Sequence, residues 1–166
     1  MKITMAGKPL NLIGNEKNIG DIAYSFIAVK DDLSEFNFNE CKGKPIVLTS
    51  FPSIDTGICA IQTNLFNQKI GEYKDKASLV IISNDLPFAQ KRYCGVNGID
   101  NAIVVSDHKD LDFSMNYGML IEELRLLARA VFVIDKDFKI VYKEVASEIK
   151  TELNYDKALE ALKSVL

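Results

Sequence analysis

Mainly apolar runs of residues divide the chain into segments with the length of β-strands. Such runs lie at residues 45–51, 77–82, 102–105 and 130–134. We predict a strand in each, and a turn at residues 135–137 predicts that the last one pairs with a strand at 139–143. The first two runs have wholly apolar centres, which is typical of strands buried on both faces of a sheet.

The N-terminal region has a weaker strand pattern. Two short apolar pieces flank residues 6–9, and this arrangement predicts a β-hairpin. Residues 26–29 fit one further short strand.

Two segments place their apolar residues at helical intervals instead. The first contains Ile58, Ile61, Leu65, Phe66, Ile70 and Tyr73, and the second contains Tyr155, Ala158, Leu159, Leu162 and Val165. These intervals predict a helix of roughly four turns directly after Cys59 and a helix at the end of the chain. A shorter helix is predicted at residues 87–93, stopped by Gly95 and Gly98.

Strands and helices alternate along the chain, which then closes with a hairpin and a helix. This order predicts the α/β class, with a central mixed β-sheet flanked by helices and an N-terminal β-hairpin. Right-handed crossovers between parallel strands leave few possible topologies. A thioredoxin-like sandwich and a small flavodoxin-like sheet both fit, and periodicity does not choose between them.

Size and charge narrow the classes of function. A chain of 166 residues suits one domain, which we expect to span residues 1–166. The net charge of −3 argues against a nucleic-acid partner, because phosphate binding needs a concentrated basic face. The longest wholly apolar run, residues 130–134, is too short to span a membrane, and the N-terminus lacks the pattern of a signal peptide.

These features predict a cytoplasmic protein with no membrane partner. The cytoplasm is reducing, so its three cysteines are not expected to form a structural disulfide framework. Any disulfide among them would be transient, catalytic or sensing.

Cys59 stands where the apolar strand at residues 45–51 gives way to helical periodicity. The start of a helix has unpaired N–H groups and partial positive charge, which together favour a thiolate. Pro52 restricts the backbone of the preceding loop, and the hydroxyl of Thr56 can both accept and donate. A lone cysteine at a helix start nevertheless usually serves packing. Position alone therefore leaves both interpretations open.

The order Pro52, Thr56, Cys59 matches the P-x-x-x-T-x-x-C peroxidatic motif of the peroxiredoxins. Three segments extend the likeness: F-P-S-I-D-T-G-I-C-A-I-Q-T at 51–63, L-P-F-A-Q-K-R-Y-C-G at 86–95 and L-A-R-A-V-F-V-I-D at 127–135. Together they resemble the thiol peroxidase subfamily over nearly the whole chain. Three separated motifs in the right order are far more specific than the short motif alone.

The resemblance implies a thioredoxin-like fold and an atypical two-cysteine mechanism. Cys59 would be the peroxidatic cysteine that attacks hydrogen peroxide or an alkyl hydroperoxide. Pro52 and Thr56 would complete its pocket, and the fold would bring Arg129 beside it. Cys94 would be the resolving cysteine, forming an intramolecular disulfide with Cys59 that thioredoxin reduces. The resemblance also implies a homodimer that uses no cofactor and no metal.

The proposed chemistry suits these residue types. Arg129 carries permanent charge and several fixed donors, which can hold a thiolate and stabilise charge developing on the peroxide oxygens. Cys94 lies 35 positions after Cys59, and a disulfide needs Cα atoms within about 7 Å. We therefore expect the segment at 86–100 to unwind or swing, and Gly95 and Gly98 are consistent with such mobility.

Other residues have weaker assignments. Phe51, Phe88 and Ile121 are candidates for an apolar rim that would favour alkyl hydroperoxides. Cys41 has no counterpart in the motifs and is expected to be a surface or half-buried bystander. His108 lies among charged residues, and a chain with one histidine and dispersed cysteines offers no pattern for a zinc site.

Two alternatives to a peroxidase remain. A non-catalytic peroxide sensor or redox relay would use the same Cys59–Cys94 pair, and would stop after one equivalent of peroxide where an enzyme turns over. A thioredoxin-like disulfide reductase is disfavoured, because the chain has no C-x-x-C pair for disulfide exchange.

Overall fold

The computed structural model describes residues 1–166, which form eleven strands and four α-helices. The strands are β1 (Lys2–Met5), β2 (Lys8–Ile13), β3 (Ile27–Val29), β4 (Glu35–Asn37), β5 (Ile46–Ser50), β6 (Ser78–Ser83), β7 (Ile103–Ser106), β8 (Leu120–Ile121), β9 (Leu126–Leu127), β10 (Ala130–Ile134) and β11 (Ile140–Val145). The helices are α1 (Gly57–Gly71), α2 (Pro87–Asn97), α3 (Asp112–Tyr117) and α4 (Tyr155–Lys163), and a 3₁₀ turn spans Phe38–Cys41. None of the helices is both long and apolar enough to cross a bilayer.

Seven strands form the main sheet in the order β11-β10-β5-β6-β7-β3-β4. Strands β5, β6 and β7 run parallel, whereas β10 runs antiparallel to both β5 and β11. The predicted mixed sheet is therefore confirmed. Its antiparallel margins agree with the thioredoxin-like alternative and disagree with a doubly wound flavodoxin-like sheet.

Every residue of β5 and β10 is buried, because the sheet is covered on both faces. Alternate side chains divide between two hydrophobic cores: Ile46 and Leu48 belong to one, and Val47 belongs to the other. Helices α1 and α4 cover the second core, while α3 and the N-terminal hairpin cover the first. This two-sided cover explains the unbroken apolar runs in the sequence.

A small sheet, β1-β2-β8-β9, attaches the N-terminal hairpin to the rest of the fold. The backbone N–H of Ile149 donates to the carbonyl of Thr4 at 2.9 Å. The carboxylate of Glu148 accepts from the Thr4 hydroxyl at 2.8 Å and from two backbone N–H groups of the hairpin turn. These bonds hold Met5, at the end of β1, beside the segment at 147–150.

The predicted strands and the C-terminal helix are confirmed, with their ends shifted by a residue or two. Helix α1 begins at Gly57, so Cys59 lies within its first turn rather than before it. Helix α2 is longer than predicted, because it continues through Gly95 and ends only where Gly98 adopts a left-handed conformation with φ of 65°. The short elements β4, α3, β8 and β9 had no counterpart in the prediction.

Candidate active site

Cys59 is fixed by the junction between β5 and α1. The strand ends at Ser50, the chain crosses a loop at 51–56, and Thr56 is the N-cap residue of the helix. Cys59 is thus the third residue of α1, where the backbone N–H groups lack partners within the helix. Its side chain is completely buried.

Thr56 uses its hydroxyl for the sulfur rather than for the helix. A threonine at the N-cap usually accepts a hydrogen bond from an N–H in the first turn, but Thr56 makes no such bond. Its hydroxyl instead donates to the Sγ of Cys59 at 2.7 Å, with the carbonyl of Ser53 a more distant acceptor at 3.3 Å. The loop therefore points a donor at the thiol group.

Arg129, between β9 and β10, lies beside the same sulfur. Its side chain is buried, and its Nη2 donates to the Sγ of Cys59 at 3.3 Å. Its Nη1 donates to the side-chain oxygen of Gln62 at 2.7 Å, and its Nε donates to the carbonyl of Ile149 at 3.0 Å. Arg129 is therefore neither solvated nor part of an ion pair.

No carboxylate neutralises this buried guanidinium. The three ion pairs of the structure are formed by Lys30, Lys136 and Lys143. A buried charge without a counter-charge is costly, and the group best placed to supply negative charge is the sulfur of Cys59. The guanidinium is therefore placed to act on any negative charge that the sulfur carries.

Gln62 is a member of the site that the sequence analysis missed. It is completely buried, and its amide donates to the hydroxyl of Thr49 at 2.6 Å and to the carbonyl of Ser50 at 3.1 Å. Gln62 thereby connects Arg129 to the end of β5. The available signal was its spacing, because residues three apart share one face of a helix, and Gln62 is three residues after Cys59.

A cavity of about 290 Å³ lies beside Thr56 and Arg129, the two residues that donate to the sulfur. The predicted residues Pro52, Thr56 and Arg129 line it, together with Met5, Gly57, Ile58, Ile149 and Lys150. Its wall therefore combines the charged and hydroxyl donors that face Cys59 with apolar side chains. Met5 reaches it from the N-terminal hairpin, which no local sequence pattern could have indicated.

The three residues predicted for an apolar rim do not line this cavity. Phe51 is buried in the same core as Cys59, because it continues directly from a strand covered on both faces. Ile121, in β8, is buried in the other core. Phe88 is 64% exposed on the outer side of α2. The predicted rim is wrong, and the apolar side chains that line the cavity include those of Met5, Ile58 and Ile149.

Cys94 lies in a different part of the structure. It is half-buried in the last turns of α2, and it lines a separate cavity of about 210 Å³. Burial raises the pKa of its thiol, and the negative charge of Asp31 adds to the effect. Both Cys59 and Cys94 are free thiols, and the cavities beside them share no residue.

Comparison with known proteins places this arrangement in a family. The sequence matches the Redoxin family over residues 18–159. A thiol peroxidase from Staphylococcus aureus strain MRSA252 is 47% identical over 164 residues, which cover 99% of each chain. A thiol peroxidase from Halalkalibacterium halodurans is 46% identical over 99% of this chain and 98% of its own length.

The chain is a peroxiredoxin of the thiol peroxidase subfamily. Solved structures agree with this assignment. A peroxiredoxin-like protein from Aquifex aeolicus superimposes with a TM-score of 0.93 at 36% identity, covering 99% of this chain and 97% of that one. A thiol peroxidase from Chromobacterium violaceum shares the fold, with a TM-score of 0.87 at 19% identity. This peroxiredoxin is thus an oxidoreductase that reduces peroxides at the expense of thiols.

The third cysteine of this peroxiredoxin lies outside both cavities. Cys41 was expected at or near the surface, but it is 5% exposed and belongs to a hydrophobic core. Burial raises the pKa of its thiol to about 11, with a smaller contribution from Glu40. A thiol in this state is a poor nucleophile. His108 is exposed, and its Nδ1 lies 2.8 Å from the hydroxyl of Ser106.

Proposed function

We propose that this peroxiredoxin reduces hydrogen peroxide and alkyl hydroperoxides with Cys59 as its peroxidatic cysteine. The single observation that carries the proposal is the buried Arg129, which has no carboxylate partner and donates to the sulfur at 3.3 Å. Thr56 adds a second donor at 2.7 Å. Two donors that converge on one buried sulfur suit a thiolate that must react with a small oxidant.

In the first step the thiolate attacks one oxygen of the peroxide. The S–O bond forms as the O–O bond breaks, and the departing oxygen leaves as water or an alcohol after taking up a proton. Arg129 and Thr56, which line the cavity, stabilise the charge that develops on the oxygens. The two-electron oxidation leaves a sulfenic acid on Cys59.

In the second step the thiol of Cys94 attacks the sulfenic sulfur. Water leaves, and an intramolecular Cys59–Cys94 disulfide forms. Helix α2 has to open for this contact, since each thiol lines or adjoins its own cavity. The shallow burial of α2 supports such opening: Pro87 and Gln90 are its only buried residues, while Phe88 and Val96 are 64% and 81% exposed. Thioredoxin then reduces the disulfide by thiol–disulfide exchange.

A coupled assay with thioredoxin, thioredoxin reductase and NADPH tests this function. We expect repeated turnover with hydrogen peroxide and with cumene hydroperoxide, and no turnover by Cys59→Ser. Cys94→Ser should oxidise once and then stop, and Cys41→Ser, the matched control, should behave like the wild type. A wild-type protein that consumes one equivalent and stops would instead be the peroxide sensor.

We further propose a cytoplasmic homodimer. The relatives named above are bacterial thiol peroxidases, and thioredoxin as a reductant requires a reducing compartment. Leu86 and Leu124 are 54% and 38% exposed, and a bond from the Asn84 amide to the carbonyl of Arg125 brings their segments together. An exposed apolar patch of this kind suits contact with a second copy. Light scattering across a concentration series tests the dimer, with Leu86→Glu expected to weaken it.

A further inference from the structure

Asp85 joins the loop before Cys59 to the segment that leads into α2. It lies between β6 and α2, and its carboxylate accepts from the Ser53 hydroxyl at 2.7 Å and from the backbone N–H of Ile54 at 2.8 Å. It does not cap the helix, since α2 begins after Leu86 without a side-chain cap. The carboxylate is thus committed to the loop that carries Thr56.

The same carboxylate is linked to the interior of α2. The hydroxyl of Ser83 donates to Asp85 at 2.6 Å and accepts from the amide of Gln90 at 3.1 Å. The Gln90 amide also donates to the carbonyl of Val105 at 2.9 Å. Gln90 is 2% exposed and lies one turn before Cys94. A continuous series of hydrogen bonds therefore runs from the peroxide-binding loop to the helix of the resolving cysteine.

This series contributes to the attachment of α2. The helix fully buries only Pro87 and Gln90, and Tyr93 packs half-buried against one core, so polar bonds to the Gln90 side chain supplement few apolar contacts. At the other end of the series, the backbone carbonyl of Ser53 accepts a hydrogen bond from the N–H of Thr56 at 3.3 Å. A movement of Asp85 would therefore shift both Thr56 and the part of α2 that lies one turn before Cys94.

We propose that Asp85 is a positioning residue that couples the two cysteine-bearing segments. It holds Thr56 against Cys59 for attack on the peroxide, and it keeps α2 folded until the loop moves. This inference rests on the proposed function, because it assigns opposite effects to the two chemical steps. Asp85 favours oxidation of Cys59 and delays the formation of the disulfide.

Asp85→Asn tests the coupling with little change in shape. An amide offers one acceptor oxygen where the carboxylate offers two, so one group of donors loses its partner. We expect Cys59 oxidation to slow by about tenfold, as for the loss of one charge-assisted hydrogen bond. Disulfide formation from the sulfenic acid should instead accelerate several-fold, and less sulfinic acid should accumulate at high peroxide. The chain has no tryptophan, so rapid quenching with mass spectrometry would follow both steps.

Asp55→Asn is the matched control, because Asp55 is an exposed carboxylate in the same loop whose side chain makes no hydrogen bond or ion pair. Ser53→Ala is the second variant. It removes the hydroxyl that donates to Asp85 and accepts from the backbone N–H of Asp55, but it keeps the bond from Ile54 to Asp85, so it should show the same pair of effects more weakly. Amide exchange of the reduced proteins should rise at residues 84–97 in Asp85→Asn and stay unchanged in Asp55→Asn.

Three results would overturn the coupling. Asp85→Asn could match Asp55→Asn in both rates, its exchange at residues 84–97 could stay at the wild-type level, or both steps could slow together with a lower unfolding temperature. The last result would make Asp85 a structural support only. A wild type that forms no Cys59–Cys94 disulfide would refute the proposed function, and amide exchange would still decide whether Asp85 connects the segments.

Discussion

Replacing Arg129 by methionine separates the electrostatic role of this residue from its packing. Methionine keeps an apolar stem but ends short of the guanidinium, so the variant loses the charge that lies 3.3 Å from the sulfur. At an effective dielectric constant of about 20, a unit charge at that distance stabilises a thiolate by about 5 kcal/mol. Thr56 and water entering the vacated space would recover part of this energy. We therefore expect oxidation of Cys59 to slow by about 100- to 1000-fold.

The assay is single-turnover oxidation of the reduced protein, stopped by rapid quenching and alkylation and read by mass spectrometry. Arg129→Lys keeps the charge but cannot reproduce bonds to Cys59, Gln62 and Ile149 together, so a loss of about tenfold is expected. Arg125→Met removes an exposed arginine and should leave the rate unchanged.

Stability has to be measured in parallel. Methionine leaves the acceptor oxygens of Gln62 and Ile149 without a donor, which lowers the free energy of unfolding by about 1–3 kcal/mol for each. The loss of an unpaired buried charge raises it in turn. If Arg129→Met is folded and oxidises within about threefold of the wild-type rate, the guanidinium does not stabilise the reacting thiolate, and the proposed origin of reactivity is wrong.

Three further predictions follow from the same geometry. Thr56→Val removes the donor at 2.7 Å from the sulfur and should slow Cys59 oxidation by at least about tenfold, whereas Thr56→Ser should retain most of the rate. Met5→Ala should raise the KM for cumene hydroperoxide more than the KM for hydrogen peroxide, because Met5 is an apolar part of the cavity wall. Met5→Leu is the control. Equal effects of Met5→Ala on both substrates would refute a role of Met5 in selectivity. Burial raises the pKa of Asp107 to about 6, so the folded state binds this proton more tightly than the unfolded state does. The free energy of unfolding should therefore fall by on the order of 3 kcal/mol as the pH rises from about 4 to 6. Asp107→Asn should flatten this part of the unfolding-temperature profile, and an unchanged slope would contradict the assignment.

The sequence predicted those elements whose burial is reflected in their periodicity. Strands β5, β6 and β10 appear as apolar runs because both faces of the sheet are covered. Helix α4 shows one apolar face because only one side of it packs. By contrast, β8 and β9 have two residues each, too few to show any period. Helix α2 was predicted too short, since its exposed Val96 and internal Gly95 conceal the helical pattern.

The residues of the candidate active site also differ in whether a local sequence pattern could identify them. Pro52, Thr56 and Cys59 lie within one turn and loop, so a short family motif was enough to single them out as candidates. Arg129 could be assigned only through resemblance, because tertiary packing brings it to the sulfur from 70 positions away. Phe51 was misassigned because the sequence next to a site motif does not show whether an aromatic side chain points into the cavity or into the core. In this fold Phe51 points into the core.

The residues that tune the chemistry are therefore those with the least local signature. Gln62 and Asp85 are ordinary polar residues in sequence, yet one orients the guanidinium and the other is bonded to the loop that holds Thr56. Both bond to partners more than ten residues away, and Asp85 also accepts from its near neighbour Ser83. A thiol at a helix start is common, and what distinguishes Cys59 is this set of distant contacts. The reactivity proposed for Cys59 would thus depend on tertiary structure, and local opening that disturbs those contacts would lower it before the helix itself unfolds.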